Sequence, residues 1–240
     1  MIQNYYYFIP IVVVVLGVYY YFMIKKSRSI KKAQQDEFTS RFSNAPLTIE
    51  QKQVLAHGAI MANFRNEEYF SMQLEDRQEI YVNGLQEQWG TTDRASSIEV
   101  LDDLTNLKRS KDFDKELPEI ATSEQYKKII QKISKELKRP IDVNMIKSTY
   151  AWDTCRAINV AKWCFWAGYL TEEEAWKYMF KASKTAKETG TDWFEYTCSF
   201  LVGRSLHGFD IDDDDMALGG YVLLEGRGSG KGVYNENPFK

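Results

Sequence analysis

AWDTCRAINVAKWCFWAGYLTEEEAW, residues Ala151–Trp176, holds a helix, its stop and the cap of the next helix in one run. Trp152, Cys155, Trp163 and Trp166 recur at helical spacing over 148–167. Gly168 follows, the residue type that most readily enters the left-handed conformation closing a helix. Thr171-Glu-Glu-Glu174 then has capping-box form, and Ala175, Trp176, Met179 and Ala182 continue an inward face as far as Gly190. Thr191 is read as the cap of a third helix, striped by Trp193, Tyr196, Phe200 and Leu201. All six tryptophans fall between 89 and 193, which locates the core.

Working toward the amino end, Thr122-Ser-Glu-Gln125 caps a helix whose apolar face is Tyr126, Ile129, Ile130, Ile133 and Leu137, ended by Arg139-Pro140. Residues 108–121 are charged, contain Pro118 and read as a loop. Ile98, Leu101 and Leu104 stripe a helix opened by Thr91 and Thr92. Leu74, Gln78, Tyr81, Val82, Leu85 and Trp89 stripe an earlier one that stops at Gly90, and Thr48-Ile-Glu-Gln51 caps the first. With no sustained strand alternation before Tyr221, the fold class is an all-α, multi-helix globular domain over 46–210. Residues 211–240 read as an acidic turn and a flexible Gly-rich tail, in which Tyr221–Leu224 is a short strand or a docking segment.

The amino end is of another kind. From Tyr5 to Ile24, 20 positions carry no charge, and tyrosine triplets at 5–7 and 19–21 bracket an apolar centre. At about 1.5 Å per residue this run matches a hydrocarbon core, with phenols at both headgroup levels, so 1–24 is expected to be one N-terminal transmembrane helix. Lys25, Lys26, Arg28, Lys31 and Lys32 follow at the start of a basic, polar linker over 25–45. The positive-inside rule then places the large domain in the cytoplasm, behind a single-pass anchor. Beyond that cluster, 26 basic residues face 34 acidic ones, an acidic domain that is a poor nucleic-acid binder. Cys155, Cys164 and Cys198 lack CxxC spacing and suit a reducing compartment.

Three segments in fixed order, QEQWGTTDR (Gln86–Arg94), Ala151–Trp176, and DWFEYTCSFLVGR (Asp192–Arg204), resemble the bacterial YbeU/YbeR-like family of unknown function. The resemblance spans about residues 74–208. It implies a compact helical fold and family-like positions at Trp89, Gly90, Arg94, Trp152, Asp153, Arg156, Gly168, Tyr169, Glu174, Ala175, Trp176, Trp193, Gly203 and Arg204. After Arg204 the chain departs from the pattern, with Ser205-Leu206-His207 where a tryptophan is expected. The resemblance implies a bacterial inner membrane as the place of the anchor, and it supplies no activity.

Chemistry is sparse. Asp153 and Arg156, three apart on one helical face, join Arg204 and Arg94 as a candidate polar site for a carboxylate or phosphate, or a structural clamp. His57 and His207, the two histidines, lie in no metal or triad motif and read as ordinary helix residues. An EF-hand begun at Asp210 fails at its sixth and twelfth places, Asp215 and Tyr221. Gly226–Gly232 fails as a P-loop, since Glu225 stands where glycine is required and Gly232 follows Lys231. No catalytic residue, metal ligand or cofactor is expected. The leading reading is a membrane-tethered domain acting by protein binding. One alternative is an immunity protein neutralising a toxin at the membrane; another is an enzyme or ligand sensor using the Asp/Arg group.

Overall fold

The structure, a computed structural model, describes residues 5–42, 45–209 and 215–240, with the backbone alone for 5–11. It falls into two units, Met1–Asn44 and Ala45–Lys240, and among the described residues it is all helix with no strand.

The first unit is one helix, α1 (Tyr5–Arg41). The linker expected over 25–45 is therefore helical as far as Arg41. Its Lys, Arg, Ala, Gln and Glu residues are good helix formers, no Gly or Pro interrupts them, and Glu37 pairs with Arg41 one turn on. Among the described residues no helix is long and apolar enough to cross a membrane. The described side chains of α1 give an uncharged run from Val12 to Ile24 only, about 20 Å of helix, where a span needs about 30 Å. The first residues of the expected span, 1–11, have side chains outside the described set.

The second unit contains α2 (Ile49–Ala56), α3 (Ala59–Phe64), α4 (Gln78–Trp89), α5 (Arg94–Thr105), α6 (Lys108–Ile120) and α7 (Glu124–Glu136). It continues with α8 (Tyr150–Ala167), α9 (Glu172–Thr189), α10 (Trp193–Leu206), α11 (Met216–Glu225) and α12 (Val233–Glu236). The centre is α8, the helix of the opening motif. It packs against α3, α4, α5, α6, α9 and α10, and from Tyr150 to Trp166 every residue except Arg156 is buried. A helix apolar on all sides is stable only when surrounded. Its neighbours come very close: a Cβ on Gly203 of α10 would stand 2.6 Å from the Trp152 Cβ, so a larger residue there would push the two helices apart.

The expected stops Gly90 and Gly168 are left-handed C-caps, and the Thr48/Gln51 and Thr171/Glu174 capping boxes form. Three other caps sit one or two residues from where the threonines suggested. Asp93, Ser123 and Asp192 cap α5, α7 and α10, while Thr122 Oγ1 donates back to the Glu119 carbonyl. The expected loop 108–121 is α6: Ser110 and Leu117 share its buried side, and Pro118 falls in its last turn, where it removes one N–H from the ladder.

The expected flexible tail is also part of the core. Tyr221–Leu224 lies in α11, whose end turns at Gly226 (φ +90°); a Cβ there would stand 1.9 Å from the Gly230 carbonyl oxygen. Residues 210–214 of the acidic run lie outside the described residues. Beyond the turn, Asn235 Nδ2 donates to the Leu224 carbonyl at 2.6 Å, and Trp193 Nε1 donates to the Asn237 carbonyl at 2.6 Å. Tyr234 stacks on Trp193 at 4.1 Å and 6°, and Phe239 meets it edge-on at 4.9 Å. The glycine-rich composition of 226–232 thus encodes a tight reversal that returns two buried aromatics to the core. Tyr234→Ala is expected to destabilise the domain by about 3 kcal/mol or more, read as a lowered denaturation midpoint; an unchanged midpoint would mean that the segment does not pack.

Candidate functional site

Asp153, in the first turn of α8, is fully buried. One carboxylate oxygen accepts the Ser110 N–H at 2.8 Å, and the other accepts Arg156 Nη2. Ser110 is the third residue of α6, a helix that opens without a side-chain cap of its own, so Asp153 satisfies one of its unpaired donors from another helix. Asp114, one turn along α6, returns the arrangement. It accepts the Thr149 N–H at 2.8 Å and the Ser148 and Thr149 hydroxyls, at the uncapped start of α8. Ser110 Oγ completes the seam by donating to the Thr149 carbonyl at 2.9 Å. Two helices thus cap each other with carboxylates.

Arg156 is the exception on α8. Its Nε donates to the Trp152 carbonyl at 2.9 Å, and its guanidinium lies 4.3 Å from the Trp152 ring centre and 5.5 Å from that of Trp89. Burial lowers its proton affinity and Asp153 opposes that, while nearby Arg109 adds to the lowering. Beside it, between α4, α5, α6 and α8, lies a cavity of about 450 Å³ whose wall includes Trp89, Lys108, Arg109, Asp153, Arg156 and His207.

The four charged candidates thus part company. Asp153 and Arg156 are brought together. Arg204, almost fully buried on α10, places its guanidinium 4.7 Å from the Phe209 ring centre and is not in the wall of that cavity. Arg94 is exposed and forms a two-pronged bond to Glu174 Oε1 at 2.8 and 2.5 Å, joining the start of α5 to that of α9. Of the tryptophans, Trp89 borders the cavity, Trp152 lies under Arg156, Trp176 donates to Glu172 at 3.3 Å, and Trp193 holds the carboxyl segment.

A second polar group went unread in the sequence. Glu67 accepts from Arg65 Nε at 3.1 Å, Tyr81 Oη at 3.2 Å and Trp163 Nε1 at 3.0 Å, and lies 3.4 Å from Lys162 Nζ. Burial lowers the Lys162 pKa, and the Glu67 carboxylate works to raise it. A lone lysine inside the apolar run of α8 was the available signal. Its partner, 95 residues earlier, carried none.

The histidines end helices α2 and α10. His57 is fully buried against Trp193; its Nδ1 donates to the Gln53 carbonyl at 2.8 Å, which leaves Nε2 unprotonated and without a partner among the described residues. Burial pushes its pKa down to about 3.

A family model described as "Protein of unknown function (DUF1266)" matches residues 84–239. No curated protein and no solved structure matches.

Two outcomes are expected. Asp153→Ala leaves Arg156 without its carboxylate and α6 with an open donor, at a cost of about 3–5 kcal/mol. Arg94→Ala, at an exposed pair, leaves the midpoint near wild type, and equal midpoints for both would contradict the clamp. For His57, the unfolded chain takes up a proton below pH 6.5 and the folded one only near 3, so folding stability falls as pH drops through that window. The total at stake is on the order of 5 kcal/mol. His57→Leu should flatten this slope in denaturation midpoints taken from pH 7 to 4.

Proposed function

The chain belongs to the DUF1266 family of unknown function, and on that footing we propose that it is a membrane-anchored binding protein. The observation that carries this is on α1, where every large apolar side chain from Val12 to Ile24 is between 49% and 63% exposed. Apolar residues exposed on all sides of a helix call for a nonaqueous surround. The uncharged run continues to Tyr5 in the sequence, giving 20 residues, the length of a span. The five cations that follow then hold the second unit on the cytoplasmic side, in the inner membrane of a bacterium if the YbeU/YbeR likeness is one of kinship.

The binding role rests on the polar groups of the helical domain: Asp153, Asp114, Glu67 and Lys162 are engaged in tying helices together. The acidic balance of residues 33–240 suits a basic protein partner, and an immunity protein masking a toxin is the narrower form of this reading. A ligand sensor is the second reading, favoured by the cavity beside Arg156.

The expected result is that the full chain sediments with membranes, resists high salt and alkaline carbonate, and is released by detergent. Protease added to intact spheroplasts should leave 33–240 uncut. Salt extraction, or digestion of the domain from outside, would overturn the anchor or its orientation. A single stoichiometric protein co-purifying in detergent supports the binding role, whereas recovery of the chain alone favours the sensor.

A further inference from the structure

The cavity beside Arg156 has an imbalance that the clamp does not explain. The carboxylates of its wall are already engaged: Asp103 with Lys108 at 2.6 Å, Asp112 with Lys115 at 3.0 Å, and Asp153 with Arg156 and the Ser110 N–H. The donors are not. Arg156 uses Nε and one Nη2 hydrogen, so three of its five N–H groups have no acceptor among the described residues. Arg109 forms no ion pair among the described residues, although its charge is near enough to lower the affinity of both Arg156 and His207 for a proton. His207 Nε2 is shielded from solvent and has no hydrogen-bond partner among the described residues.

We propose that this cavity is a binding site for a small anion with a phosphate or carboxylate head, taken by the guanidinium groups of Arg109 and Arg156 beside His207 and the Trp89 ring. A carboxylate or a phosphate presents two oxygens to the fork of a guanidinium, which a chloride or a hydrated cation does not. The volume of about 450 Å³ admits a metabolite-sized molecule. Trp89, half-buried and 5.5 Å from the Arg156 guanidinium, offers an apolar wall to the body of such a ligand. Asp153 takes the role of a positioning residue, orienting Arg156 and holding the start of α6 in place. The proposal deepens the sensor reading and is independent of the anchor.

The test uses the purified full chain in detergent, titrated with inorganic phosphate and separately with succinate, with chloride at matched ionic strength as the control. A saturable rise in melting temperature and a calorimetric isotherm are expected for at least one oxyanion and not for chloride; which one responds names the head group. Arg109→Ala removes an exposed side chain, so the unliganded midpoint should stay put while affinity falls about tenfold or more. Lys111→Ala, the same charge loss on an exposed position of α6, should change affinity far less. No saturable response to either oxyanion, or equal weakening by Arg109→Ala and Lys111→Ala, overturns the site. Because binding is measured in detergent, a failed topology experiment leaves this result standing, and the reverse also holds.

Discussion

A helix surrounded on every side has no solvent face on which to place a polar residue, and α8 carries Asp153, Thr154, Asn159 and Lys162 in that position. Each must find its partner inside the protein, at a fixed place, or the helix cannot be buried. Asn159 does so through the Gly58 and Cys155 carbonyls, both at 2.9 Å, and Lys162 through Glu67 and the Glu68 carbonyl. Asp153 does so through α6. These demands select one arrangement of neighbours among the many that would bury the same tryptophans. Apolar packing supplies most of the stabilisation, and the polar partners supply the register.

The exchange of carboxylates between α6 and α8 shows how the two functions of a charge separate. Asp114 and Asp153 meet donors on both sides and have little left to offer a ligand. Arg156 stands at the edge of the same seam with most of its fork unspent, because a single carboxylate cannot occupy five donors. The residue that the clamp holds most firmly is thus also the one most able to present an oriented cation to the space beside it. A rigid donor loses little freedom on binding, and this is the setting in which a guanidinium discriminates among anions by shape.

Much of this was legible from the sequence, for a physical reason. Gly168, Gly90 and the boxes at Thr48 and Thr171 are local signals, and local signals settle helix ends regardless of what packs above them. Where a threonine and an aspartate compete, as at Asp93 and Asp192, the carboxylate takes the cap, so the boundary moves by a residue or two. The Asp153–Arg156 pairing followed from spacing, but Ser110 and Asp114 did not, because they lie on a helix that Pro118 and its charges disguised as a loop. Composition also misled at the carboxyl end. Seven residues rich in glycine mask the fact that Tyr234 and Phe239 return to Trp193. Docking of that kind has no periodicity to reveal it.

The aromatic cluster around Trp193 has a bearing on how the domain opens. His57 near the start of the second unit and Phe239 near its end both lie against the same indole, at 4.6 and 4.9 Å between ring centres. A domain whose early and late segments share one contact cannot peel from an end while the rest stays closed, since loosening either exposes the other. Slow amide exchange should therefore extend to both α2 and α12. Joining segments 182 positions apart also makes this closure a late event, reached only after the helices around α8 have restricted the chain.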